Sequence, residues 1–367
     1  MVIPQQKRFQ ILSLSGGGYR GLHIAQVLEI IEKKIDGPIA HHFDLIAGTS
    51  IGGIIALALA LEIPARVIRE TLEKLGPSLF PKTPPEFLVA RTLFEKAGYL
   101  AIAKYLFKHR KELAAEGQAT RSAWYQPKPL HDALSKQDYF GDRQIGDLKF
   151  PVVIPAVNYS TGLPKFYKTD HHPSLLFDRE LKIIDVALGT SAAPVFFPAH
   201  KINDDRIVDG GLIANDPTHV AVHEAMYLFG IRPPLYGDSS TGNDDLRVLS
   251  IGTLSPKRFA DPSKPLDQGL LDWGTGVFDL AGSAQEAMSA FMIDTHMLPG
   301  KVIRLPTLES RPEKAPGLAD VSSSSTEILR ASASNVAQYA FGDQQFMDLF
   351  KHKSRTLADI RLNFPKE

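Results

Sequence analysis

Apolar and polar positions along the N-terminal part of the chain fall into two alternating kinds of run. RFQILSLS, residues 8–15, alternates and stops at a glycine, the pattern of a short buried strand. From Gly21 to Asp36 the apolar residues Leu22, Ala25, Leu28 and Ile31 recur at helical spacing with charge on the other side, which predicts an amphipathic helix. FDLIAGTS (43–50) repeats the strand pattern and runs straight into the apolar stretch IGGIIALALALEI (51–63), a second helix. Strand, helix, strand, helix through short turns predicts an α/β fold with a parallel sheet covered by helices. PVVIPAVN (151–158), RIVDGG (206–211) and LRVLSIG (246–252) read as further buried strands, and residues 327–351 as a helical stretch that packs back on the domain. Residues 232–245 and 311–326, with PP, GDSSTGNDD, RPEKAPG and SSSS, read as loops, and no internal repeat is visible.

Between residues 80 and 130 the pattern changes. The segment opens on prolines, then mixes aromatic and basic residues, with seven Lys/Arg against two acids from Lys82 to Lys111. Two readings stand side by side: a helical insertion packed on the core with solvated lysines, or a surface for an anionic membrane that uses Lys104, Lys108, Arg110 and Lys111. Composition alters this picture little. The 367 residues are 44% hydrophobic and 22% charged, which suits one large globular domain with insertions, or two domains. Lys+Arg and Asp+Glu both number 41, so overall charge gives no sign of DNA or RNA as a partner. The lack of cysteine excludes disulfides and thiolate chemistry and is compatible with a reducing compartment. MVIPQQKRFQ has no signal-peptide pattern, and the longest apolar run falls short of the roughly 20 residues of a membrane span. A soluble, cytoplasmic protein, at most peripheral to a membrane, is expected.

Chemistry is concentrated at three turns. Gly48-Thr49-Ser50-Ile51-Gly52 is a G-x-S-x-G between an apolar strand and an apolar helix, a context that exposes a serine on a sharp turn with small neighbours. SGGGYRG (15–21) places Gly16, Gly17 and Gly18 after the first strand. It lacks the Gly-Lys-Ser/Thr of a phosphate loop, and the second strand ends in the serine motif instead of a dinucleotide fold's acidic residue. Backbone donors beside an exposed serine fit an oxyanion hole better. Arg20 is read as holding that loop, attracting an anionic head group, or lying on the surface. RIVDGGLIANDP puts Asp209 at a strand end with Gly210 and Gly211 beside it, either as a base for Ser50 or as a plain Asp-Gly turn. His219, His223 and His296 are the histidines placed to act as base after it. Neither His41-His42 nor His171-His172 has partners at metal-ligand spacing, and no metal is expected.

SGGGYRG, GTSIG and DGG, in this order and joined by ALGTSAAPVFFPAH (187–200), resemble the patatin-like phospholipase family over residues 8–255. The resemblance implies a three-layer fold, its mostly parallel central sheet flanked by helices, with the helical insertion at about 80–130 and residues 256–367 as a C-terminal extension packed on the catalytic domain. It implies a Ser50–Asp209 dyad without histidine, an oxyanion loop of Gly16, Gly17 and Gly18, and supporting roles for Arg20, Gly21, Gly48, Gly52, Gly210 and Gly211. Ser15 departs from the aspartate frequent in the family, which is expected to alter loop support. The implied reaction is hydrolysis of lipid acyl esters, with membrane phospholipid as substrate, transient contact with the inner face of the cell membrane, and no cofactor. Length, opening motif and insertion also resemble the bacterial branch that acts in cyclic-oligonucleotide anti-phage signalling (CBASS), which implies activation by a cyclic dinucleotide such as cyclic GMP-AMP. Arg121, Trp124 and Tyr125 are candidates to hold the purines, or ordinary packing residues. A homodimer is admitted. The alternatives are a constitutive lipase or thioesterase, a non-catalytic lipid-binding protein on a hydrolase fold and, weakest, a dinucleotide-binding oxidoreductase.

Overall fold

β1 (Arg8–Leu14) is buried along almost its whole length, and its side chains divide between two cores: Phe9 and Ile11 on one face, Leu12 and Leu14 on the other. A strand covered on both faces belongs in the middle of a sheet. The computed structural model of the chain describes residues 7–81, 123–257, 259, 266–267, 276–307 and 310–364. Among the described residues, β1 is joined by β2 (Leu45–Gly48), β3 (Val152–Asn158), β4 (Leu163–Lys168), β5 (His200–Ile202), β6 (Asp205–Asp209), β7 (Asp245–Ile251) and β8 (Val302–Leu305). They form one sheet in the order β5-β6-β3-β2-β1-β7-β8, with β4 paired to β3 as well. The run from β3 to β8 is parallel, whereas β4 and β6 lie antiparallel to β3. The expected mostly parallel sheet flanked by helices is the observed one.

Among the described residues the α-helices are α1 (Gly21–Ile35), α2 (Ile51–Ala60), α3 (Ala65–Leu79), α4 (Lys128–Leu134), α5 (Ile183–Thr190), α6 (Gly211–Ala214), α7 (Thr218–Tyr227), α8 (Gly276–Ser289), α9 (Ser323–Ala340), α10 (Gln344–Leu349) and α11 (Leu357–Arg361). α1, α2, α3, α5 and α9 share the larger core with Leu12, Leu14, Ile154 and Ile251, while α7 covers Phe9, Ile11 and Val248 on the opposite face. α1 is buried beyond its predicted stripe, since Ile24 and Val27 also join the core, and α9 lies along it.

The C-terminal part returns to the sheet. β8 adds a strand beyond β7, so residue 255 lies between two neighbouring strands of one sheet. The SSSS run, read as loop, begins α9: Ser322 caps it by accepting from the Ser325 N–H. Most of the segment 80–130 lies outside the described residues, including Lys104, Lys108, Arg110, Lys111 and Arg121. Among the described residues no helix is long and apolar enough to cross a membrane.

Candidate active site

Sheet register brings three chain segments together. Leu14 at the end of β1 lies opposite Gly48 at the end of β2, so the glycine loop and the turn to α2 leave the sheet side by side. Ser50 takes φ 55° and ψ −125°, a conformation that strains a residue with a side chain by about 1–3 kcal/mol. Its surroundings hold it there. The Ser50 N–H donates to Thr190 Oγ1 at 3.0 Å, Thr190 Oγ1 donates to the Pro155 carbonyl at 2.6 Å, and Thr49 Oγ1 donates to the Ala214 carbonyl at 2.6 Å. α2 starts so close to β1 that a Cβ on Gly52 would stand 2.3 Å from the Leu14 carbonyl oxygen, so the position admits only glycine. The serine is thereby pushed out of the sheet at the N-terminus of a helix.

Asp209 arrives from the other side, where the end of β6 pairs with Ala156 of β3. Its N–H and that of Gly210 donate to the Ala192 and Thr190 carbonyls at 3.1 and 3.2 Å. Ser50 Oγ donates to Asp209 Oδ2 at 2.6 Å, and the Gly211 N–H, at the start of α6, donates to Oδ1 at 2.7 Å. Asp209 is buried, and burial pushes its carboxyl up to about 6 against the opposing pull of these two hydrogen bonds. Among the described residues, no histidine lines the cavity around the pair. His219 and His223 lie on α7, where His223 stacks on Tyr227, and the His296 ring meets Phe291.

The glycine loop is anchored at its first residue. The Gly16 N–H donates to the Asn215 carbonyl at 2.9 Å, and the Gly16 carbonyl accepts from Thr253 Oγ1 at 3.0 Å. Of the three expected donors, therefore, Gly17 and Gly18 are the two whose N–H groups have no acceptor among the described residues. Gly18 has φ 58°, and a Cβ there would meet the Leu318 carbonyl oxygen at 2.4 Å. Arg20 is buried, not on the surface: its Nε donates to the Gly17 carbonyl at 3.4 Å and its Nη2 to Asp279 Oδ1 at 2.6 Å. Gly21 opens α1 against Ile51, and Ser15 is buried with its N–H on the Ile251 carbonyl.

A cavity of about 170 Å³ runs from Ser50 and Asp209 along an apolar wall that includes Ile54, Leu72, Leu75, Leu79, Phe80 and Phe197. Its lining suits a hydrocarbon chain attached to a reacting carbonyl at the polar end. Tyr125 packs its ring against Phe80, Phe196 and Phe197 beside this wall, and Trp124 packs against Phe196. No group of three or more metal-binding side chains gathers among the described residues: His41 pairs with Glu62, and His171 with Glu224. Sequence reasoning missed Thr190, Asn215, Thr253 and Asp279. The first two lie in stretches it had singled out, ALGTSAAP and GLIANDP, yet their roles exist only once distant strands meet.

Residues 12–222 match the family described as patatin-like phospholipase. A cGAMP-activated phospholipase of Pseudomonas aeruginosa is 35% identical over 358 residues, covering 94% of this chain and 93% of that protein. One of Vibrio cholerae is 33% identical over 374 residues, covering 97% and 95%. Patatin-like protein 2 of Arabidopsis thaliana is 29% identical over 328 residues, covering 78% of this chain and 70% of its own.

Proposed function

The chain belongs to the patatin-like phospholipase family, whose members are hydrolases acting on ester bonds, and from that premise we propose that it cleaves membrane phospholipids through a Ser50–Asp209 dyad. The observation that carries the reading is the 2.6 Å hydrogen bond from Ser50 Oγ, held on a strained turn, to the buried Asp209 carboxylate. Above pH 6 or so the carboxylate is charged, and its raised proton affinity suits a general base.

Asp209 takes the hydroxyl proton as Ser50 Oγ attacks the ester carbonyl. The tetrahedral oxyanion faces the N–H groups of Gly17 and Gly18 and the N-terminus of α2. Collapse breaks the ester C–O bond, Asp209 returns the proton to the departing lysophospholipid alkoxide, and the acyl group stays on Ser50. Asp209 then deprotonates a water that releases the fatty acid and restores the serine. The apolar wall from Ile54 to Phe80 takes the acyl chain.

Activation by a cyclic dinucleotide such as cyclic GMP-AMP, in anti-phage defence at the inner membrane face, is supported by relatives aligned over nearly all of both chains that are cGAMP-activated. The test is fatty-acid release from phosphatidylethanolamine/phosphatidylglycerol vesicles, alone and with a panel of cyclic dinucleotides. Wild type is expected to release fatty acid with one nucleotide only, and Ser50→Ala to fall by at least about 10³-fold. Equal release without nucleotide leaves the lipase and removes the switch. No release under any condition overturns the phospholipase reading.

A further inference from the structure

α8 and the π-helical turn that continues it (Ala290–Met297) are built inside out. Most of their polar side chains point inward, the exposed Thr295 and His296 excepted. Asp279 binds Arg20; Gln285 accepts from the Asn215 N–H at 2.8 Å and donates to the Gly211 carbonyl at 3.1 Å; Glu286 pairs with Arg311, and Asp294 with Arg304. Apart from the buried Ile293 and the cavity-lining Phe278, most of their larger apolar side chains point outward: Val277, Leu280, Met288, Phe291 and Met292 are 44%, 37%, 57%, 62% and 50% exposed. The other exposed positions from Gly276 to Met292 are glycine or alanine, so no charged residue is among the exposed ones of this stretch; the exposed His296, whose ring meets Phe291, borders it. Single exposed apolar residues are ordinary, but a continuous uncharged stripe along one helix marks an interaction surface.

The position of the stripe says what covers it. Phe278, Gly282 and Gln285 of the same helix line the Ser50 cavity, and so does the exposed Leu212 on the neighbouring α6. The apolar face therefore begins at the opening of the catalytic cavity, where its exposed Ala281 is part of the lining, and extends along the helix to Met292. A protein seated here would stand across that opening, whereas a lipid surface would bring the substrate to it. We infer that this face docks on a phospholipid bilayer, with Met288, Phe291 and Met292 entering the acyl boundary beside the cavity mouth. The inference deepens the phospholipase reading and rests on it. Since the face is uncharged, the attachment is apolar insertion: it needs no anionic lipid and resists salt, unlike attachment through basic residues.

The test uses the full chain, with the nucleotide that activates release or, if none does, without one. Phe291→Trp is mixed with phosphatidylcholine vesicles containing doxyl-labelled lipid, at low and high salt. A blue-shifted, quenched tryptophan at both salt levels is expected, and absence of quenching overturns the inference. The triple variant Met288→Asp/Phe291→Asp/Met292→Asp is expected to lose at least tenfold in vesicle co-sedimentation and fatty-acid release, with p-nitrophenyl butyrate hydrolysis and solution mass unchanged. Wild-type sedimentation of the variant overturns docking while leaving the phospholipase reading intact. A fall in solution mass, with vesicle binding retained, assigns the face to a second copy of the chain and also overturns it. Vesicle binding through this face without any lipid hydrolysis upholds the docking surface and overturns the phospholipase reading.

Discussion

Asp209 keeps its proton to a higher pH than an ordinary aspartate because burial penalises its charge more than Ser50 and Gly211 relieve it. Two expectations follow from this one group. Hydrolysis of a soluble ester should fall about tenfold per pH unit below about 6 and level off above it, since the base must be ionised. Stability should show the opposite trend. With the folded pKa above the unfolded one, the contribution is fully present below the unfolded value of 3.8 and is lost as pH rises through about 6. The charged carboxylate then costs up to about 3 kcal/mol at neutral pH. Asp209→Asn should therefore be inactive yet melt higher than wild type at pH 7.5, with the gap closing toward pH 4. Equal melting curves at both pH values would contradict the burial account.

The turns depend on neighbours remote in sequence. Ser50 was legible because G-x-S-x-G sits between an apolar strand and an apolar helix, a purely local pattern. Thr190, whose hydroxyl links the Ser50 N–H to the Pro155 carbonyl, was not, because that link joins β2, β3 and α5. Thr190→Val removes the hydroxyl at nearly constant volume and leaves two buried groups without their partner, at about 1–3 kcal/mol. We expect a lower melting temperature and a lower kcat on a soluble ester with KM little changed, and recovery of both in Thr190→Ser. A KM effect alone would mean that the hydroxyl shapes the cavity instead of the turn. Arg20 shows the same limit: three roles were open in sequence, and its burial against the Gly17 carbonyl and Asp279 is visible only in the packed molecule.

At the scale of the whole molecule, the family match ends at residue 222 while the sheet continues through β7 and β8. The later part is fastened to the site. Arg304 on β8 binds Asp216, which is buried one residue after the Asn215 whose carbonyl holds Gly16. α9 covers α1 with Leu329, Ala333 and Val336 in the common core. A chain cut after residue 255 should therefore fail to fold, with Asp216 left charged, buried and unpaired at a cost of about 3–5 kcal/mol in addition to the lost packing. Circular dichroism would show it: cooperative thermal unfolding of residues 1–255 would mean that they form an independent unit after all.

The sequence by itself determined the α/β alternation, the strand ends that carry Gly16–Gly18, Ser50 and Asp209, and the likeness to patatin-like phospholipases. All of these are local: a hydrophobic period and a turn with small residues can be read within about ten positions. Tertiary structure alone decided that Gly16 donates inward, that Arg20 is buried against Asp279, that residues after 255 add a strand to the sheet, and that α8 turns most of its larger apolar side chains outward. The first three are contacts between segments far apart in the chain, and the fourth follows from such contacts on the inner side of α8. An apolar stripe on a helix reads as core in any sequence, and only the packed molecule shows which side the core is on.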